Sequence, residues 1–185
     1  MDRLNISTGR LVWGIDHKGP TYVNNKVRYV LCCVELNIRL VTFELAKTTN
    51  AKETAELFFK SVICTYGGAV EIVSDRSKSF LNELFDELML LGGSRHRVTG
   101  SYSPWANPTE ERAVRKLSHA IKAASFGRSS SDWADNLKYL QLMLNSTSIS
   151  PYQSQPPFAL LFGADNSFFH PILVNKKSSL PSSFL

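Results

Sequence analysis

LVWGIDHKGPTYVNNKVRYVLCCVELNIRLVTFEL, Leu11 to Leu45, is the stretch from which the fold is read. Leu11–Asp16 is an apolar run closed by an acid, and Gly19-Pro20 is expected to break the strand there. Lys26–Leu36 is rich in β-branched and aromatic residues, Asn37 is a turn candidate, and Ile38–Leu45 follows as a third strand. Three such runs in succession predict a meander. Downstream, Asn50 with Glu53 forms a capping-box pattern, and Ala51, Ala55, Phe58, Phe59, Val62 and Ile63 follow helical spacing up to a stop at Gly67-Gly68. AVEIVS is a short buried strand that delivers Asp75. SFLNELFDELMLLGG reads as an amphipathic helix with Phe80, Leu84, Phe85, Leu88 and Leu91 inward, and HRVTG as a brief strand. Further helices are expected from Asn107, from about Asp132 to Asn145, and after Pro156-Pro157 in FALLFG. Three strands, helix, strand, helix, strand, then helices predict an α/β protein with a five-stranded mixed sheet covered on both faces.

The chemistry lies at the ends of these elements. Asp16 closes LVWGI, and Asp75 closes AVEIVS. A third acid comes from SYSPWANPTEERAVRKLSHAIKAA, Ser101 to Ala124, where Asn107 can be the N-cap, Pro108 the first helical residue and Glu110 the capping acid. Glu111 then leaves the first turn without a capping duty. There are 58 residues between Asp16 and Asp75, and 35 between Asp75 and Glu111. Two strand-end aspartates and a helical glutamate offer the hard oxygen donors that a pair of Mg²⁺ or Mn²⁺ ions requires. Asp16 and Asp75 would hold one ion and Asp16 and Glu111 the other.

GIDHKGP around Asp16, VSDRSKSF around Asp75 and YSPWANPTEER around Glu111 resemble the catalytic core of retroviral and Ty3/Gypsy-type long-terminal-repeat retrotransposon integrases, the DDE recombinases of the RNase H-like superfamily. The gap before Glu111 matches that family's hallmark. DWADNLKYLQLMLNS and PPFALLFG resemble the segments that follow the core in such elements. The resemblance covers Leu11 to Gly163, with residues 1–10 as a lead-in and 164–185 as a loop-like tail. It implies an RNase H-like fold, polynucleotidyl transfer in 3′-end processing and strand transfer, two divalent ions, element and target DNA as partners, and a homodimer or higher multimer. It also implies action in the nucleus, or within retroelement particles, by a core cut from a longer polyprotein.

Composition sets the outer limits. The chain is 43% hydrophobic and 20% charged, values usual for one globular domain of 185 residues. No apolar run approaches membrane-spanning length and no signal-peptide pattern opens the chain, so neither a span nor secretion is expected. Cys32, Cys33 and Cys64 are expected as reduced, buried thiols, and scattered His17, His96, His119 and His170 lack zinc-site spacing. The net charge is +5, and between Ser94 and Arg128 seven arginines and lysines face only Glu110 and Glu111. That surplus lies beside the candidate site, where phosphates would have to sit.

Several residues carry two readings. Asp16 and Asp75 are also turn or cap residues, and Glu111 also suits a helix dipole. Arg112 matches the arginine of the family's Glu-Arg pair, or is a structural ion-pair partner. Arg115, one turn beyond Glu111, takes a phosphate or pairs with Glu111. Tyr102 and Trp105 stack on an unpaired base or pack on the core. Asn107 meets DNA or only caps its helix. Lys122 serves DNA or solvent, Lys116 is a solvated charge, and His17 is expected to face away from Asp16 by strand alternation. Ser77 and Pro108 stand where the family carries glycine. A non-catalytic nucleic-acid-binding domain, and another transposase or nuclease of the same fold, therefore stay open as alternatives.

Overall fold

The computed structural model describes residues 11–67, 69–77, 80–98, 134, 136–148 and 155–163. The described strands are β1 (Val12–Val23), β2 (Lys26–Glu35), β3 (Val41–Ala46), β4 (Glu71–Ser74) and β5 (Arg95–Val98). Helix α1 (Ala51–Phe58) runs on through a π-helical turn, Phe59–Ile63, into Cys64–Tyr66. Helices α2 (Glu83–Leu91), α3 (Leu137–Ser146) and α4 (Pro157–Phe162) complete the described elements. The strands form one sheet in the order β3-β2-β1-β4-β5. β1, β2 and β3 pair antiparallel, and β4 and β5 continue the sheet parallel to β1. This is the expected five-stranded mixed sheet of an RNase H-like fold.

Alternation along the strands divides the core in two. Trp13, Ile15, Leu31, Cys33 and Ile72 point to one face, where Phe58 and Val62 of the α1 helix and Phe85 and Met89 of α2 cover them. Val30, Cys32, Val34, Val41 and Phe43 point to the other face, against Leu137, Leu140 and Leu144 of α3. The inward positions of α3 recur at helical spacing, as do Phe85 and Met89 in α2. The side chains of Leu84, Leu88 and Leu91 lie outside the described residues.

β1 is longer than expected. Gly19-Pro20 does not end it but forms a bulge: Lys18 pairs with Val30 and Thr21 with Arg28, so Gly19 and Pro20 together oppose Tyr29. Gly19 has φ +128°, and a Cβ there would sit 3.1 Å from the Arg28 carbonyl oxygen. The strand then turns through Asn24-Asn25, both with positive φ, in a two-residue hairpin. β3 begins at Val41 instead of Ile38, because buried Glu35 organises the preceding turn. Its carboxylate accepts hydrogen bonds from the backbone N–H groups of Val12, Asn37 and Ile38 and from the Asn37 side chain.

Edge strand β3 is closed by side chains of α3. Asn145 Oδ1 accepts the Val41 N–H and Asn145 Nδ2 donates to the Val41 carbonyl, both at 2.8 Å. Gln141 Oε1 accepts the Phe43 N–H at 2.9 Å, and Lys138 donates to the Phe43 carbonyl at 2.6 Å while pairing with Glu44. At α1, Asn50 caps Glu53 N–H as its sequence pattern implies. The Glu53 carboxylate, however, takes the N–H groups of Lys47 and Thr48 and the Thr48 hydroxyl instead of closing a reciprocal box on Asn50. Gly67 ends the helix in the left-handed region. Cys64 is exposed, against expectation, while Cys32 and Cys33 are buried, and all three are free thiols.

Candidate metal-binding and nucleic-acid site

The pairing of β1 with β4 runs from Val12 opposite Glu71 to Ile15 opposite Ser74. Asp16 and Asp75 are the next residues of these two neighbouring parallel strands, so both acids stand at the same end of their pairing. Trp13, Ile15 and Ile72 face the core under α1, and alternation therefore turns Asp16 to the opposite face, with Asp75 one residue beyond the end of β4. Asp16 was expected at a strand end. It lies within β1, because the bulge lets the strand continue, but it is where the β1/β4 pairing ceases. The region beyond the carboxyl ends of parallel strands is where open α/β sheets bind ligands.

The two acids are held differently. Asp16 is about one-third exposed and forms an ion pair with Lys18, two residues on and on the same face. Asp75 is exposed, and its Oδ1 accepts the Ser77 N–H at 2.9 Å, closing an Asx turn. Its backbone is tied to the sheet through a short chain of polar groups. Ser74 Oγ donates to the Asp75 carbonyl at 3.0 Å and meets His96 Nε2 at 2.8 Å, and His96 Nδ1 meets Asp86 at 2.6 Å. The Phe85 ring packs edge-on against His96 at 4.9 Å. His96 went unrecognised in the sequence; its signal was its place between Arg95 and Arg97, which turns it to the core face together with Val98.

His17 points away from the acids, as alternation predicts. It stacks on Phe80 with ring centroids 5.1 Å apart, and its Nε2 lies 3.1 Å from Thr54 Oγ1. Thr54 donates its own proton to the Asn50 carbonyl, so the imidazole Nε2–H donates to Thr54. Burial pushes the His17 pKa below its usual value, opposed by the negative charges of Asp16, Asp75 and Glu53. Arg97, part of the basic surplus, pairs with Glu71, while Arg95 is exposed.

Glu111, Tyr102, Trp105, Asn107, Arg112, Arg115, Lys116 and Lys122 lie outside the described residues. Among the described residues no group of three or more His, Cys, Asp or Glu side chains gathers to hold a metal. Asp16 and Asp75 fit a hard divalent cation in donor type, accessibility and placement, and Asp16 already attracts a cationic group. No described helix is long and apolar enough to cross a membrane.

No protein-family model and no curated protein matches the chain. Solved structures do. The integrase catalytic core domain of HTLV-2, in complex with magnesium and in trimeric form, superposes with a TM-score of 0.64 at 15% identity, over 82% of this chain and 95% of that one. The catalytic core domain of BIV integrase gives 0.63 at 21% identity, over 87% and 99%. A chain of the simian T-cell lymphotropic virus intasome, in complex with the PP2A regulatory subunit B56 gamma, gives 0.64 at 15%, and this chain spans 54% of its length. The order of strands, the mixed pairing and these superpositions together give the chain the fold of retroviral integrase catalytic cores.

Proposed function

We propose that residues 11–163 form the catalytic core of a retroelement integrase, in which Asp16, Asp75 and Glu111 hold Mg²⁺ or Mn²⁺ for phosphoryl transfer on DNA. The observation that carries this reading is the side-by-side position of Asp16 and Asp75 at the end of the β1/β4 pairing. The shared fold supports it. When bound, such ions stabilise charge on the reacting phosphate oxygens and favour a deprotonated nucleophile. The chain's own residues supply position. Asp16 rides on the central strand, opposite Cys32 of β2. Asp75 is oriented by the Ser77 N–H and anchored through Ser74, His96 and Asp86.

In this reading Glu111 completes the donor set, and Arg112, Arg115, Lys122, Tyr102 and Asn107 meet the DNA. The partners are element ends and target DNA, the reactions 3′-end processing and strand transfer, and the acting species a homodimer or higher multimer in the nucleus or a retroelement particle. The magnesium bound by the HTLV-2 core, its trimeric form and the simian virus intasome support metal use and assembly here. The test is a strand-transfer and disintegration assay on labelled branched DNA with Mg²⁺ or Mn²⁺, comparing the wild type with Asp75→Asn and Glu111→Gln. Metal-dependent products lost in both variants are expected. Activity that survives Glu111→Gln would overturn the site.

A further inference from the structure

We infer that Lys18 is a built-in competitor of the divalent ion: in the metal-free chain its ammonium holds the Asp16 carboxylate, and metal binding must displace it. This rests on the metal-binding reading of Asp16 proposed above. Lys18 and Asp16 are alternate residues of β1, opposite Val30 and Cys32, so they share one face of the sheet a single pleat repeat apart. The Lys18 Nζ bonds Asp16 Oδ2, and among the described residues no other side chain bonds that carboxylate. The backbone beyond Lys18 is constrained. The β1 bulge follows at once, with Gly19 at φ +128° and Tyr29 and the Arg28 carbonyl packed where a Cβ would be. Lys18 therefore leaves the regular ladder at a fixed point beside Asp16.

Two consequences follow from charge alone. The ammonium stabilises the metal-free state by neutralising Asp16, and it repels a divalent ion that approaches the same oxygen. Both effects weaken metal binding, so removal of Lys18 strengthens it. The side chains are 33% and 34% exposed, which screens the effect. A gain of about three- to tenfold in metal affinity is expected for a pair of this kind. A lysine with a purely structural role gives the opposite sign, because loosening the strand spreads the donors apart.

The test is Mn²⁺ binding to the full 185-residue chain without DNA, followed by the electron paramagnetic resonance signal of free Mn²⁺, for the wild type, Lys18→Met, Lys18→Gln, Lys18→Arg and Asp16→Asn. Lys18→Met and Lys18→Gln are expected to bind Mn²⁺ about three- to tenfold more tightly than the wild type, and Lys18→Arg to stay within about twofold. Two neutral variants guard against one that fails to fold. Affinity that is unchanged or weakened in the folded neutral variants, with wild-type binding still abolished by Asp16→Asn, overturns the inference and leaves the metal site standing. Wild-type binding that Asp16→Asn does not alter overturns the metal-site reading itself, and the inference with it.

Discussion

Replacing Asn145 with leucine removes two hydrogen bonds and fills the same space with hydrocarbon. Asn145 is fully buried and Val41 is 4% exposed, so water does not replace the lost partners. The Val41 N–H and carbonyl, each bonded at 2.8 Å in the native chain, are then left unpaired inside the protein. An unsatisfied buried backbone group costs roughly 1–3 kcal/mol, and two give about 2–6 kcal/mol, less a small return from the added apolar contact. Against a total stability of about 5–15 kcal/mol for an ordinary domain, this is a large fraction. Gln141→Leu provides the comparison. It removes the bond to the Phe43 N–H and a longer one, 3.4 Å, from Lys138, at a half-buried position, and about 1 kcal/mol is expected. Urea unfolding followed by tryptophan fluorescence and by circular dichroism measures both. A loss for Asn145→Leu below about 0.5 kcal/mol, or one no greater than that for Gln141→Leu, would refute the argument that α3 completes the sheet edge.

Other substitutions and titrations test the remaining features. Gly19→Ala forces a side chain onto positive φ against the Arg28 carbonyl, and a loss of about 1–3 kcal/mol in the same unfolding assay is expected. Native protein treated with a thiol reagent is expected to react at Cys64 alone and at all three cysteines after denaturation, because Cys32 and Cys33 are buried. Burial pushes the Cys33 thiol up to about 12 and the Cys32 thiol up as well, which suppresses the reactive thiolate. His17, whose pKa lies below the ordinary 6.5, binds its proton more weakly in the folded chain than in the unfolded one. Its contribution is present above that value and is lost as pH falls, so the wild type should lose stability relative to His17→Gln between about pH 7.5 and about pH 5. Parallel pH curves for the two proteins would count against it.

The local parts of the fold were legible because their causes are local. The cap at Asn50, the stop at Gly67 and the short helix opened by Pro156-Pro157 follow from residues within a few positions of one another. The meander followed from runs of β-branched and apolar residues. Gly19-Pro20 misled because proline and glycine end a strand or bulge it by the same chemistry, and only the partner strand decides which. The start of β3 was displaced by Glu35, a charged residue whose buried role depends on Val12, a residue of the neighbouring strand. Asn24-Asn25 was a readable hairpin signal that went unused. For the site, two apolar runs ending in aspartates pointed to Asp16 and Asp75 as candidates. That the two stand side by side came from the β1/β4 register, which composition does not encode. The Lys18 pair and the His96 link were out of reach for the same reason, since each joins residues through the sheet.

The seal on β3 also sets a limit on its own length. Residues of an edge strand whose peptide groups point off the sheet edge, such as Val41 and Phe43, are about 6.6 Å apart, while one helical turn of four residues advances about 6.0 Å. Asn145 and Gln141, four residues apart on α3, therefore fall into step with Val41 and Phe43 as the helix runs against the strand. The mismatch of about 0.6 Å grows with each repeat. At the next step the helix presents Leu137, which turns into the apolar core, and the flexible arm of Lys138 reaches back to the Phe43 carbonyl. A rigid carboxamide can stand in for a peptide group over two repeats, and beyond that the two periodicities drift apart. An edge strand guarded in this way stays short, and β3, with six residues, is the second shortest class of strand in the sheet.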